Sequence, residues 1–560
     1  MKPGAKQARK SVQQKKQPTP PKERKGLLDR LQKYFYRRRK FYFLLSCGLT
    51  LLFAILLFDV KMSNANDDSM YVNLGWRITK DISLMYSANA PLYPLFLSLP
   101  ISIFGLKIVL LKSLSVVFIL LNIVLLYYAF RNRVNDFVLM MALLTTAVNS
   151  YFMYFASMTF TEAFFLFLQS LFFLLLFNFY DSITSTKSLK HTWKKWLLIG
   201  FMAMLISLAK NVAILGIVVL VIFLLWNKKY IQAVYAAASF LIFKGALSLF
   251  NAIYMGDVSQ YSNQSRLLFQ VDPYNPSKGM ETYSGFVDRF FQNGNLYLSK
   301  RLFQVLGLKS EDVNTINPSL LFFCAVIFFM AVFFIIRNKD RVLLFLAMYM
   351  TAMMAATFTV LQVQWDQPRF VMIFVPLLLM TVYGGWSYFL KNKNAILQFI
   401  LVAIAFITLF AGLFATLKKS EKNYSILKRN LSGDIYYGYT TDWVNYLKMS
   451  AWCGDSLPDN ALVGARKAPM SFIYAKGKPF YGIDMAFSSD ADSVLARLKS
   501  NNVTHVILAS LRRNPKVADG MIINTVHRLM SPVGQKYPQK LQLVKQIGDT
   551  EPAYLYKINY

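Results

Sequence analysis

Long apolar runs separated by short basic stretches dominate this chain. A helix needs about 20 apolar residues to cross the hydrocarbon core of a bilayer. Runs near that length recur at 42–58, 109–130, 137–155, 162–180, 196–209, 212–226, 231–250, 318–336, 342–363, 369–390 and 395–416. The pattern predicts a polytopic helical bundle of about eleven spans, with 196–226 read as one broken span or two. Between the runs, basic residues gather at Arg131 and Arg133, at 187–195, at Lys228 and Lys229, at 337–341, and at Lys391 and Lys393. Lys and Arg favour the cytoplasmic side of a membrane. Placing all these clusters there, with the N-terminus, lets eleven spans alternate without conflict. Residues 59–108, 251–317 and 417–560 then fall on the opposite face.

Each of these outer regions has its own pattern. In 69–80, Tyr71, Leu74 and Ile78 fall on one helical face, as in a helix lying at the interface. Residues 91–104 are apolar but interrupted by Pro91, Pro94 and Pro100, and read as a re-entrant or interfacial piece ending at Gly105. Beyond about Lys418 the composition becomes that of a soluble domain. Predicted helices at 441–452, 467–476, 490–500 and 516–529 alternate with strands at 461–465, 479–483, 503–510, 541–547 and 553–558, which implies a small α/β layer domain. Gly477 is the expected C-cap of the second helix. The fold class expected is therefore mostly α: a membrane bundle over 42–416 with a C-terminal α/β domain over 417–560. A basic, disordered tail over 1–41 precedes it.

Composition sharpens this picture. The chain is 55% hydrophobic and 16% charged, whereas soluble proteins average about 45–50% and about 25%. An ordinary soluble, disordered or collagen-like chain is excluded. The formal net charge of +34 invites a nucleic-acid reading. Its distribution argues against one: residues 1–41 hold 15 Lys and Arg against Glu23 and Asp29, and much of the rest lies in short loops, as orientation signals do. Cys47, Cys324 and Cys453 form no disulfide framework or metal-ligand spacing. The C-terminal domain carries no nucleophile elbow, phosphate loop or HExxH motif, and His505 inside a strand reads as structural.

Few charges fall on the outer face, so each can be weighed. Asp67 and Asp68 follow the first span closely. Either suits a general base that takes a proton from an acceptor hydroxyl or amine during sugar transfer, or a metal ligand. Equally, either suits an N-cap for the next helix. Glu162 heads the run 162–180, where an acid flush with an apolar span marks a site unless it simply caps the helix. Lys210 separates two short runs, and Arg369 opens 369–390. Two cations and several acids on one membrane face suit an anionic lipid headgroup, since a cation beside a phosphate stabilises the charge that develops as the phosphate leaves. Tyr254, Tyr261, Tyr274, Tyr283 and Phe286 in the loop 251–317 suit either sugar stacking or an aromatic belt.

The ordered set resembles a known family. Asp67-Asp68 and Tyr71 are followed by Asn89-Ala90-Pro91-Leu92-Tyr93-Pro94-Leu95, Phe104-Gly105, Thr161-Glu162, Arg369-Phe370 and Pro376, with a soluble domain at the end. Together these resemble integral-membrane glycosyltransferases of the GT-C superfamily, in the branch of protein O-mannosyltransferases and lipid A aminoarabinose transferases. The resemblance covers roughly residues 40–415. It implies a polyprenyl-phosphate-linked sugar as donor and a protein, glycolipid or glycan as acceptor. It also implies a reaction on the outer face of a bacterial inner membrane or the luminal face of the ER. Asp67 or Asp68 would be the base or acceptor-binding carboxylate, with Glu162 the second acid. Arg369 and Lys210 would hold the donor phosphate, and Tyr71, Arg77 and Asn89 would contact substrate. A monophosphate donor needs no metal; a divalent ion, if used, would fall to Asp68 and Glu162. Aminoarabinose transferases typically carry a Lys before a Pro-Pro pair, where this chain has Asn89 and Ala90, so the sugar stays open. The competing class is a flippase or other transporter of the lipid-linked sugar, which would show inverted repeats and polar breaks at mid-membrane. A third reading is an assembly subunit with inert outer charges.

Overall fold

In the computed structural model, residues 26–63, 66–87, 90–185, 187–254, 268–273, 275–483 and 490–560 are described. Every predicted span is helical, but their lengths differ from the expectation of eleven crossings. Among the described residues, seven helices are long and apolar enough to cross a membrane: Arg39–Leu56, Ile108–Phe130, Thr161–Ser185, Tyr230–Tyr254, Pro318–Arg337, Arg341–Val360 and Ala395–Leu431. The pair Asp136–Ala147 and Ser150–Ala156, bent by 57°, makes an eighth if it acts as one span. The remaining runs are split. Lys210 is an extended break after the helix Trp193–Ala209, and Ile373 with Phe374 divides Arg369–Met372 from Val375–Leu390. The break at Lys210 is the one read from the sequence as a division of 196–226, whereas counting apolar residues cannot see the one at Ile373–Phe374, where both residues are apolar.

Polar caps set the helix boundaries. The Asp340 carboxylate accepts from the N–H groups of Val342 and Leu343, both at 3.0 Å, satisfying donors a helix start leaves unpaired. Asn394 caps Ala395–Leu431 through Leu397 N–H at 3.0 Å. Asn149 makes the 57° bend: its side-chain oxygen accepts from Tyr151 N–H at 3.0 Å, while its amide donates to the Val305 carbonyl at 2.7 Å. Close helix approach is set by small residues. A Cβ on Gly385 would lie 2.4 Å from the Ala331 carbonyl oxygen, so the helices Pro318–Arg337 and Val375–Leu390 pack backbone to backbone there.

The basic connections gather at one end of the bundle. Gln32 donates to Asp136 at 3.0 Å, Lys391 pairs with Asp29 at 3.5 Å, and Arg133 bonds the Phe177 carbonyl at 2.9 Å. The stretch expected to be tail includes the helix Leu27–Arg37, which buries Leu28 and Phe35. It is amphipathic, and its apolar side is long enough to pack.

The C-terminal domain stands at the other end. Its strands are β1 Leu462–Ala465, β2 Phe480–Gly482, β3 Val503–Leu508, β4 Leu511–Arg512, β5 Ile522–Ile523, β6 Leu541–Ile547 and β7 Ala553–Ile558. Five of them form a sheet of order β2-β1-β3-β7-β6. β1 pairs in parallel with β2 and β3, and β7 is antiparallel to β3 and β6. The helix expected at 516–529 is instead the short β4–β5 pair followed by the helix Thr525–Lys536. Gly520 discourages a helix at the start of that stretch, while Pro532 lies within the helix that does form. Gly477, at φ +104, donates its N–H to the Phe472 carbonyl at 2.9 Å and turns the chain after the helix Ala468–Tyr474. The last span does not end at 416 but continues as one 37-residue helix to Leu431, joining membrane bundle and domain rigidly. One face of the sheet shares a core with the bundle through Trp443, Tyr446 and Phe472. The other packs Val494, Leu498, Leu529 and Val533. His505 is buried in β3 with Nδ1 2.8 Å from the Thr504 hydroxyl, a structural position.

Candidate active site

The segment between the first two long apolar helices is a built structure. Its helix Asn66–Ile78 packs on the helices Leu92–Phe104 and Ala468–Tyr474, with Trp76 edge-on to Phe472 at 5.1 Å. The apolar face predicted for this helix is buried: Tyr71, Leu74 and Ile78 are all in the core. The bundle and the C-terminal domain thus clamp the loop from two sides and hold its first turn in one place.

That first turn brings the two adjacent aspartates into opposite environments. Asp67 faces outward, its side chain 38% exposed, and Oδ2 accepts from Arg369 Nη2 at 2.7 Å. Asp68 points inward and is wholly buried. One of its oxygens accepts from Ser63 N–H and the other from Thr159 N–H, each at 2.8 Å. The Thr159 hydroxyl adds a further short bond. Successive helix positions diverge by about 100° around the axis, so neighbours in sequence cannot both face one site.

Below Asp68 lies a layer of buried charge. Lys112, fully buried within the run 109–130, donates to the carbonyls of Asp59 and Lys61. Lys61 bonds Asp59 at 2.9 Å and Asn430 at 2.8 Å, and Lys516 of the C-terminal domain reaches Asp59 at 3.3 Å. Burial alone would raise the Asp59 carboxyl. The charges of Lys112, Lys516 and Lys61 outweigh it and hold the group well below the usual carboxylate range.

Glu162 heads Thr161–Ser185 and is 1% exposed. Its Oε1 lies 3.2 Å from Lys210 Nζ and 3.9 Å from Arg369 Nε. Lys210 reaches it because the helix stops one residue before, at Ala209. Arg369 reaches it from the first turn after Pro368, whose ring suits a helix start. The guanidinium also lies 5.1 Å from the rings of both Phe160 and Phe370, aromatic faces that attract a cation. Asp67, Glu162, Lys210 and Arg369 therefore form one cluster drawn from four separate segments. Two buried atoms in it have no hydrogen-bond partner among the described residues: Glu162 Oε2 and Arg369 Nε. Buried polar groups are normally hydrogen-bonded, so these two are exceptions, Arg369 Nε keeping only its longer ion pair to Glu162.

Tyr71 borders the cluster. Its hydroxyl is raised by burial and by the Asp67 charge, an effect that Arg369 and a hydrogen bond with Thr161 partly oppose. Arg77 does not join. It is exposed in the last turn of the helix Asn66–Ile78, ten residues and about 15 Å along the axis from Asp67. Asn89, with Tyr261 and Tyr274, lies outside the described residues. Tyr254 and Tyr283 are exposed, and Phe286 stacks edge-on with Phe269 at 5.5 Å.

Asp68 is tied into the loop, both its oxygens occupied by N–H and O–H donors, and Glu162 is shared between two cations. No three His, Cys, Asp or Glu side chains gather as metal ligands among the described residues.

The sequence reading missed a second charged group and the buried lysine. Asp366 bonds Lys300 at 2.8 Å and pairs with Arg301, three residues before Arg369. The π-helical turn Tyr297–Arg301 carries both cations. No periodicity in 297–301 signals this pairing. Lys112 did leave a signal, as a single cation inside an otherwise apolar span.

With this geometry in view, the chain can be set beside solved structures. The oligosaccharyltransferase of Archaeoglobus fulgidus tethered with an acceptor peptide superposes with a TM-score of 0.50 at 12% identity, covering 93% of this chain and 74% of that one. Archaeoglobus fulgidus AglB in complex with an inhibitory peptide and a dolichol-phosphate gives 0.50 at 12%, over 84% and 69%. ArnT from Cupriavidus metallidurans bound to undecaprenyl phosphate gives 0.50 at 11%, over 92% and 97%. No family model and no curated protein matches the chain. The protein has the fold of GT-C integral-membrane glycosyltransferases, a multi-pass helical bundle bearing a C-terminal domain on one end. The fold expected from the resemblance over roughly residues 40–415 is borne out.

Proposed function

We propose that this protein is a glycosyltransferase that moves a sugar from a polyprenyl-phosphate-linked donor to an acceptor at the outer surface of a membrane. The observation that carries the reading is the cluster Asp67–Arg369–Glu162–Lys210, in which two cations share one buried carboxylate beside a part-exposed acid. The fold shared with ArnT bound to undecaprenyl phosphate and with AglB holding a dolichol-phosphate supports a lipid-linked donor.

In this mechanism Arg369 and Lys210 hold the donor phosphate. Asp67, the accessible acid, accepts the proton of the acceptor hydroxyl or amine as that atom bonds the anomeric carbon. The bond from that carbon to the phosphate oxygen breaks, and its electron pair leaves with the polyprenyl phosphate. Arg369 and Lys210 stabilise the charge that develops there. Glu162 keeps both cations in register and Asp68 braces the loop, so Asp67 alone of the two neighbours is the base. No metal step is needed. The basic end, with the N-terminus, faces the cytoplasm, and the reaction faces outward, as at a bacterial inner membrane.

The test is donor capture. Purified Arg369→Ala and Lys210→Ala proteins should bind a radiolabelled polyprenyl-phosphate sugar about tenfold more weakly than wild type, the loss expected for one charge-assisted contact. Unchanged capture by both variants would remove the phosphate-binding role and the transferase reading with it.

A further inference from the structure

On the outer side of the bundle, a cleft of about 570 Å³ opens where the last long helix gives way to the C-terminal domain. Its walls include Asp434, Tyr436, Tyr437, Tyr439, Thr440, Lys448 and Lys516. The turn 432–440 presents three tyrosines within four residues. It can do so because Gly433 and Gly438 adopt φ of +110 and +95, values that side chains resist. The rings are fixed: Tyr436 stacks on Tyr474 at 5.9 Å and Tyr439 on Trp443 at 6.4 Å. Cations ring the aromatics, with Lys448 Nζ 5.8 Å from the Tyr436 ring and Arg429 4.2 Å from that of Tyr437. The buried Thr440 hydroxyl has no partner among the described residues.

We propose that this cleft is a second saccharide site, taking a sugar that bears a phosphate or carboxylate and belonging to the acceptor. Rigid aromatic faces stack on the apolar faces of sugar rings, the exposed Lys448 answers an anion, and an unpartnered hydroxyl accepts or donates to a sugar hydroxyl. An aromatic belt at the headgroup level would need the tyrosines but not a cleft beside a buried, unsatisfied hydroxyl. The site is also joined to the reaction cluster. The Tyr439 hydroxyl bonds the Met62 carbonyl, and the next residue, Ser63, bonds Asp68. An occupant of the cleft therefore rests on the segment that positions the first-loop acids. Assigning the occupant to the acceptor rests on the transferase reading; the binding itself does not.

The experiment is equilibrium binding of glucose 1-phosphate to the full-length purified protein in nanodiscs, with glucose and inorganic phosphate as comparison probes. Wild type should prefer glucose 1-phosphate to either. Tyr437→Ala and Lys448→Ala should each weaken it about tenfold, with thermal stability unchanged for the exposed Lys448. Arg369→Ala should leave it intact, which separates this site from donor capture. Loss with Arg369→Ala but not with the cleft variants would place the sugar phosphate in the reaction site and overturn the proposal. So would equal binding of inorganic phosphate, or no binding of glucose 1-phosphate. Coupling the same sugar phosphate to an alkyl chain distinguishes the sources. Tighter capture in the disc marks a glycolipid headgroup, and equal capture a soluble glycan.

Discussion

Replacing Asp67 by Asn tests the proposed chemistry against the structure most directly. The substitution keeps the shape, and Asn caps a helix start as well as Asp does. Its remaining carbonyl oxygen can still accept from Arg369. Asp67 is more than a third exposed, so the charge lost from its ion pair is worth at most about 1 kcal/mol to stability after solvent screening. Loss of a positioned base, in contrast, typically costs 10²–10⁴-fold in rate, or about 2.7–5.5 kcal/mol on the barrier. The neighbouring Asp68→Asn should behave in the opposite way. Both Asp68 oxygens accept hydrogen bonds in a fully buried site, so Asn sets an N–H donor against another donor, at a cost of about 1–3 kcal/mol. The assay is release of polyprenyl phosphate from a radiolabelled donor, with membrane extract supplying acceptor and melting temperature recorded for each protein. Asp67→Asn should melt like wild type and turn over at least a hundredfold more slowly; Asp68→Asn should melt earlier. An Asp67→Asn protein with turnover within about threefold of wild type would refute the base assignment.

Three further outcomes follow from the same geometry. Glu162→Gln strips the shared counter-charge from Lys210 and Arg369, so thermal stability should fall by about 3–5 kcal/mol and donor capture should weaken; an unaltered melting temperature would contradict the buried pairing. Asp59 is held below the ordinary carboxylate range, so the stability it supplies is complete above about pH 4 and lost as pH falls further. Wild type should therefore lose melting temperature below that point, and Asp59→Asn should show a shallower acid limb while being less stable at neutral pH. For orientation, Gln546→Cys on the exposed strand β6 should react with an impermeant thiol reagent in intact spheroplasts, whereas labelling only after lysis would reverse the assigned faces.

The sequence by itself determined the class of architecture, because burial in lipid imposes a one-dimensional signature. Each run of apolar residues had to become a helix, since no other open element satisfies its backbone in hydrocarbon, and each predicted run is helical. The strands read near 541–547 and 553–558 are likewise β6 and β7, at the boundaries found. Of the site, the sequence singled out Asp67, Glu162, Lys210 and Arg369 as outer-end charges. Only the tertiary structure decided that they meet, since their segments lie up to 302 residues apart. It also separated Asp67 from Asp68, which no property of two identical adjacent residues could do: the turn of the helix and the donors of Ser63 and Thr159 send one into the core and leave the other at the surface. The division of one apolar run into two helices at Ile373–Phe374 was hidden for a similar reason. The break at Lys210 was legible as a polar pair between two apolar runs, whereas Ile373–Phe374 is apolar throughout and leaves no interruption to read. Lys300 and Arg301 acquire a role only because the chain folds Asp366 against them. Long-range pairing of charges is a property of the assembled bundle, and a linear pattern of hydropathy carries no record of it.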